Sequence, residues 1–514
     1  MEAVAPAAAG AQPTAAPARL RVGVFADGPL QPAWLVDALV RAGAEAEVFL
    51  VRVGEAQPRG PGFPWNLYAR VDRRVFGAEP AQRVDLRTVL PEGGVHQLDV
   101  AFALGELDDA ELDGLARLWV WRFHFGLAGS EALAGVAEAV RGEPLTGCGL
   151  SVRLAAGATP RLVCPSWGRT YPLSVARNRD QLLRKSGEFV LRALREAQRS
   201  GRGWLEQCRP LSTPEASKLA ASEIFSLGAR LLSRGVEKAL SIDQWFLAYK
   251  FSEAATEVEG NLAGFTRLMP PKDRDWADPF VLEKNGRHFV FFEELPYAVG
   301  KAHISMIELK PDGTRSEPVR VLERDYHLSY PFLLQHDGEL YMVPESARNN
   351  TVELWRCVDF PTGWRLDKVL LDGVRCVDAT LHQSAGRWWM FCNAAPGGSR
   401  AFDDELHLYY ADHLLGEWKP HPRNPVKSDV RSSRPAGQVY WRNGALYRPA
   451  QVCVPRYGAG LSINRILRLT TRDYAERQVQ RILPAEARGV LGLHTLNRAG
   501  YLTVVDAFHR RRRM

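Results

Sequence analysis

Gly286-Arg287-His288-Phe289-Val290-Phe291-Phe292, Gly338-Glu339-Leu340-Tyr341-Met342-Val343-Pro344 and Gly386-Arg387-Trp388-Trp389-Met390-Phe391-Cys392 share one grammar: a turn glycine followed by an apolar strand. Gly444-Ala445-Leu446-Tyr447-Arg448-Pro449-Ala450 and Gly500-Tyr501-Leu502-Thr503-Val504-Val505-Asp506 repeat it. The glycines stand 52, 48, 58 and 56 residues apart, the period of a four-stranded propeller blade with variable outer loops. Short strands precede them, starting at Asp278-Pro279-Phe280, Tyr330-Pro331-Phe332, Asp378-Ala379-Thr380 and Ala436-Gly437-Gln438, each eight residues before its glycine. The fifth start lies near His494-Thr495-Leu496. Third strands are predicted over 302–309, 351–357, 405–411 and 463–470. Five such units predict a five-bladed β-propeller, which closes radially and keeps sheet edges short. A twisted β-sandwich with coincidental turn spacing is the competing arrangement.

Upstream the pattern differs. Apolar strand-like runs at 21–26, 47–53, 99–104 and 118–121 alternate with helical spacing, including 32–42 closed by Gly43. That alternation predicts a Rossmann-like parallel α/β sheet, although no G-x-G-x-x-G follows the first strand. Residues 181–198 and 214–240 carry amphipathic helical patterns. The chain is thus expected to be multidomain, α/β plus all-β. It would comprise a tail at 1–19, an α/β domain at 20–173, a helical connector at 174–260, the propeller at 261–509 and a basic tail at 510–514.

Composition narrows the function. With 514 residues, 46% of them apolar and 24% charged, the chain is ordinary globular material, which excludes wholesale disorder, collagen and coiled coil. Net charge is only +7, and its densest run is Arg510-Arg511-Arg512-Arg513, read as a solvated tail. Basic charge is not gathered as a nucleic-acid binder requires, so no nucleic-acid partner is expected. Seven scattered cysteines without a C-x-x-C indicate neither a zinc ribbon nor a disulfide framework. No stretch approaches the roughly 18 apolar residues of a membrane span. With no basic, Leu-rich leader, a cytoplasmic protein without a transmembrane segment is expected.

In a propeller the inner strand lines the axis and the second strand returns, so strand-one starts and strand-two ends open on one face. The starts carry Asp278 and Asp378; the ends carry Glu293, Glu345, Asn393 and Gln451, then Asp506, with Arg434 and His494 beside them. A carboxylate or amide at one phase in all five repeats predicts a single polar mouth. Strand-end capping is the alternative for any one residue. Sugars offer hydroxyls to such groups and an apolar face to aromatics, for which Trp276, Tyr330, Tyr297 and Tyr457 are candidates. A carbohydrate or glycoconjugate is the expected substrate, and paired carboxylates are expected to divide acid and base work.

The span 270–508, opened by Trp276-Ala277-Asp278-Pro279-Phe280, resembles the five-bladed propeller of family-43 glycoside hydrolases. It is also similar to the propeller region of plant glucosamine inositolphosphorylceramide transferases. Ser329-Tyr330-Pro331-Phe332, Met342-Val343-Pro344-Glu345-Ser346 and Val504-Val505-Asp506 carry that likeness. The hydrolase resemblance implies Asp278 as general base and Asp378 as the residue that tunes and orients the acid. The acid in that family is a Glu opening blade four, where this chain has Arg434-Pro435-Ala436-Gly437-Gln438. Glu345 is the substitute by phase, Glu293 the second choice, and transfer is favoured over hydrolysis. The family further implies Ca2+ or water on the axis near a blade-five histidine, matched by His494; a satisfied core histidine is the other reading. Residues 20–165 resemble the N-terminal domain of formyltransferases through Trp121-Arg122-Phe123-His124-Phe125-Gly126 and Gly142-Glu143-Pro144-Leu145-Thr146-Gly147. That family uses Asn, His and Asp: His124 fits the histidine, Arg122 stands where Asn is expected, and the third member, the Asp, is missing from its usual place. Sugar N-formylation, or a non-catalytic glycan-binding scaffold, are the alternative functions.

Overall fold

The computed structural model describes residues 19–512 apart from 56–64, 77–81, 127–133, 155–157, 212–221, 254–257, 259, 261, 395–402 and 485–488. The expected N-terminal tail therefore lies, except for residue 19, outside the described residues, as do the start of the second connector helix and residues 513–514.

The repeat closes into a ring of five sheets. Blade one holds Arg274–Lys284, Arg287–Pro296, His303–Leu309 and Val319–Leu322; blade two holds Ser329–His336, Glu339–Ser346, Thr351–Asp359 and Gly363–Asp372. Blade three opens with Cys376–Ser384 and Arg387–Ala394, and blade four with Tyr440–Arg442 and Ala445–Val452. The inward apolar residues make a core between successive blades. Phe280, Phe332 and Leu381 share one cluster across blades one to three, and Phe391 and Leu446 join three to four. Leu461 and Val505 join four to five, and Val504 and Val290 bring five back to one.

Blade five corrects the sequence reading. Leu496–Ala499 and Leu502–Arg512 pair with Ser241–Phe251 and Thr266–Leu268, so two of its strands come from the chain ahead of blade one. The connector expected to be helical to 260 ends its helix at Leu240, and the next residue begins the strand. Joining the two ends of the propeller in one sheet leaves no free edge at the seam. The same pairing converts the basic tail: Arg510, Arg511 and Arg512 lie opposite Asp243, Ile242 and Ser241 as the end of an eleven-residue strand.

The N-terminal unit is an α/β sheet in the order Glu47–Val53, Arg21–Ala26, Leu98–Leu104, Ala116–Phe125, Leu145–Arg153, Arg161–Arg169, Arg209–Pro210. The first four strands are parallel, as their alternation with helices requires; the last three are antiparallel. Of their connections only the one between Leu145–Arg153 and Arg161–Arg169 is short, the others carrying helices Val136–Arg141 and Val175–Ser200. Alternate residues serve opposite faces. Val22, Val24 and Phe102 pack against helices Ala33–Ala42 and Val175–Ser200, while Phe25, Ala101 and Ala103 form a separate cluster. Ser174 caps the 26-residue helix by accepting a hydrogen bond from Arg177 N at 3.1 Å. The unit rests on the propeller through Lys185, whose ammonium lies 2.7 Å from Asp404 with both side chains buried, and through Ser166 and Ser428, 2.8 Å apart. Among the described residues no helix is long and apolar enough to cross a membrane.

Candidate active site

Three blades place their lead residue by the same device. In blade one Ala277 pairs with Glu293 and Phe280 with Phe291, so Asp278 and Pro279 together face Phe292. Blades two and three repeat the bulge at Tyr330-Pro331 and Asp378-Ala379. Asp278, Tyr330 and Asp378 all have positive φ, at 51°, 44° and 53°. A non-glycine residue holds that conformation only when the surroundings over-determine it, and bulges re-aim side chains. Here they turn the lead residues toward the axis.

At the mouth a cavity of about 240 Å³ is lined by Asp278, Glu293, His327, Glu345, Arg434, Tyr457 and His494, with Trp245, Asp275 and Ser329 among the remaining walls. Asp278 is buried and accepts from Thr495 Oγ1 at 2.8 Å and Tyr330 N at 3.2 Å. Its burial, with Glu293 and Asp378 near, outweighs the pull of His494 and raises its pKa to about 7. Burial and then Asp378 push Glu345 well above the usual carboxylate range against the pull of Arg434, which shifts it toward its protonated form. Asp378 is clamped by Arg434 Nε at 2.5 Å and by Gln451 Nε2 at 2.9 Å. Arg434 also reaches Asp403 at 3.3 Å and Glu345 at 3.8 Å and stacks over Tyr457, 4.9 Å from the ring centroid. Asp403 in turn meets Arg169 of the N-terminal sheet at 3.0 Å, so that unit braces the mouth through a chain of charges.

His494 lies flat on Trp245, ring centroids 4.0 Å apart, and its Nδ1 is 2.5 Å from Asp506 Oδ2. Burial opposes its charge, but Asp506 and Asp278 outweigh that and raise it to about 9. The sign follows directly: a histidine raised from 6.5 stabilises the fold below that pH, and the contribution is lost as pH climbs through 9. Urea unfolding is expected to find His494→Gln up to about 3 kcal/mol less stable than wild type at pH 6, with the gap closing by about pH 9.5. An equal gap at both would remove the charged histidine.

Asp278, His494 and Asp506 present ligand atoms within 4.8 Å of one another, the position where the family resemblance implies Ca2+. They do not fit that ion. Calcium takes six to eight oxygens, whereas here a protonated imidazole fills one place. Asp506 already accepts from Asp278 N, His494 N, Thr495 N and His494 Nδ1. The histidine is part of the hydrogen-bonded axis, and no step is drawn through a metal.

Of the residues singled out from sequence, Asp278, Glu293, Glu345, Arg434, His494 and Tyr457 line the cavity, and Asp378 and Gln451 stand behind Arg434. Trp276 is corrected. It is 1% exposed, donates to Glu294 Oε1 at 3.3 Å and packs on Phe292, because one step along a strand turns a side chain to the other face. Tyr330 is corrected too. Fully buried, its hydroxyl lies 2.8 Å from Thr380 Oγ1 and accepts from Gly437 N at 2.7 Å, closing the axis beneath the cavity. Tyr330→Phe is expected to cost about 1–3 kcal/mol in denaturant unfolding while leaving KM unchanged; a raised KM with unchanged stability would restore it as a substrate contact. Asn393 is buried and absent from the cavity wall. Sequence reading missed Trp245, Asp275 and His327. Trp245 comes from the unexpected closing strand. Asp275 accepts from Trp245 N at 2.9 Å and Tyr297 Oη at 2.7 Å, and burial raises it to about 6. His327 Nε2 lies 3.2 Å from Glu293 and is raised because that carboxylate outweighs burial. Asp275, three residues before Asp278, was the more recoverable of these.

Residues 272–499 match the family described as glucosamine inositolphosphorylceramide transferase 1, N-terminal. The transferase 1 of Arabidopsis thaliana is 32% identical over 216 residues, 41% of this chain and 28% of that protein. That of Oryza sativa subsp. japonica is 32% identical over 203 residues, 39% of this chain and 27% of that protein. The chain thus spans under a third of the curated relatives it matches, and the residues that match the transferase N-terminal family lie within the propeller. Among solved structures, Zg3597, a family 117 glycoside hydrolase of Zobellia galactanivorans, aligns over 52% of this chain and 90% of its own at 13% identity and a TM-score of 0.34.

Among the described residues, the N-terminal unit shows no such gathering of titratable groups around His124. Arg122 is bound to Asp109 at 2.8 Å and to the Leu107 carbonyl at 2.6 Å, and among the described residues no carboxylate forms an ion pair with His124.

Proposed function

We propose that this chain is a carbohydrate-active enzyme that forms or cleaves a glycosidic bond in the propeller mouth, with transfer favoured over hydrolysis. One observation carries the reading. Asp278 and Glu345 line one cavity, with Asp378 behind it against Arg434, and the three carboxyl groups, separated by up to a hundred positions, are in unlike states. Asp278 titrates near neutrality, Glu345 is pushed up by burial and Asp378, and Asp378 is paired with Arg434. Carboxyl groups pushed apart in this way divide base and acid roles. Asp278 would take the proton of the attacking hydroxyl, of an acceptor sugar or of water. Glu345 would donate to the oxygen that departs from the anomeric carbon. Arg434 fills the place of the hydrolases' acid and fixes Asp378, which weakens ordinary inverting hydrolysis and leans the reading toward transfer.

The plant relatives' name suggests the first substrates: an activated glucosamine donor and an inositol-phosphate glycolipid acceptor. The test is product formation from that pair and from a panel of aryl glycosides. Turnover by wild type that disappears in Asp278→Asn supports the reading; turnover that survives the substitution overturns it.

A further inference from the structure

Two helices of the N-terminal unit leave an apolar stripe in solvent. On Trp65–Phe76 it is Leu67, Val71 and Val75; on Ser222–Leu240 it is Leu232, Val236 and Leu240. All six are between 53% and 74% exposed, at four-residue spacing, which sets each trio on one helix face. The helices are neighbours, since Tyr68 of the first packs on the small cluster that holds Leu227 of the second. Exposed apolar side chains aligned along a helix face mark an interaction site.

The charge around the stripes is basic. Arg70 and Arg74 are exposed one residue before Val71 and Val75, and Arg234, paired with Glu237 at 2.8 Å, lies between Leu232 and Val236. Leu240 runs straight into the strand that pairs with Arg510, Arg511 and Arg512. The acids alongside, Glu237 and Asp243, are both bound by Arg510. Position matters as much as charge. Trp245 of that strand lines the mouth cavity, and Asp506 of its partner sits on the axis. The strand continues six residues past Asp506, to Arg512, so the basic edge and the helix end lie beyond the strand position that carries Asp506 to the mouth.

We propose that this face docks on an anionic lipid surface, which holds the propeller mouth toward the headgroups. An amphipathic helix with a basic margin and modest overall hydrophobicity lies in a membrane interface without spanning it. The competing occupant is a second copy. A two-fold contact would set the arginines of one copy against those of the other, whereas anionic lipid neutralises them. The docking surface stands on the patch alone; its service to catalysis rests on the glycolipid reading above.

Vesicle flotation of the full chain tests it. Binding is expected to vesicles of phosphatidylcholine with about 30% phosphatidylserine, not to phosphatidylcholine alone, and to be reversed by about 0.5 M salt. Leu232→Ser with Val236→Ser, and separately Arg70→Glu with Arg74→Glu, should each lower the bound fraction about tenfold, with unchanged unfolding midpoints because all four side chains are exposed. Asp278→Asn should float like wild type, so a dead enzyme that still docks separates this claim from the catalytic one. The proposal is overturned if wild type ignores anionic vesicles or binds neutral ones equally. It is also overturned if both double variants bind unaltered, or if wild type is a dimer that the serine variant splits.

Discussion

Asp278→Asn is expected to lower kcat/KM by at least about a thousandfold while the protein unfolds as cooperatively as wild type. The amide keeps the size of the carboxylate: its one oxygen can accept from Tyr330 N while its NH2 donates to Thr495 Oγ1, a hydroxyl that can reverse its role, so the bulge that aims residue 278 has no reason to collapse. What it cannot do is take a proton. The pH profile supplies the independent check. Asp278 is held near 7 by burial and by Glu293 and Asp378, so wild-type kcat/KM should rise with pH through about 7 as the base is freed. It should fall again once Glu345 ionises, a step delayed by burial and by Asp378 and Asp278. A flat profile from pH 5 to 8, or an active asparagine variant, removes Asp278 from the chemistry.

Arg434→Met is the second large effect, and it is expected on stability first. One guanidinium faces Asp378, Asp403 and Glu345 with its side chain only 12% exposed. Removing it strands carboxylates in a buried place, which costs about 3–5 kcal/mol, far more than an exposed pair would. Denaturant unfolding should show that loss. Arg434→Lys should recover only part of it, since an ammonium cannot fork across Asp378 and Asp403 together. A methionine variant as stable as wild type would mean that the mouth carboxylates are neutral without Arg434, and the division of roles among them would fall.

The ring was legible because each blade repeats a local signal. A turn glycine, an apolar run and a lead residue eight positions earlier recur at a period no helix or sandwich imposes, and Glu293 and Glu345 fall at one phase of that repeat. Residues found by phase, Asp278, Glu345, Arg434 and His494, do meet at the cavity. Those chosen for chemical character alone fared differently. Trp276 looked like a sugar platform, but the two-residue period of a strand sends it into the core behind Ala277. Tyr330 shares the phase of Asp278, yet its length carries the hydroxyl across the axis to Thr380 and Gly437. The closing strand Ser241–Phe251 was hidden because its partner lies more than 250 residues away, and the amphipathic pattern before it runs to Leu240 without a break. With that strand went Trp245, whose ring supports His494. Blade four is also irregular: at Gly437, with φ of 132°, an added Cβ would come within 2.1 Å of the Leu496 carbonyl, so backbone rather than a lead side chain fills the axis there.

A crystal structure of Asp278→Asn soaked with the glycoside or donor that wild type consumes tests the central claim most directly. The sugar should lie in the cavity between residue 278, Glu345 and Tyr457, its reacting oxygens within hydrogen-bond reach of the first two. A sugar seated instead in the N-terminal unit or on the outer blades, with the mouth holding only water, would contradict it.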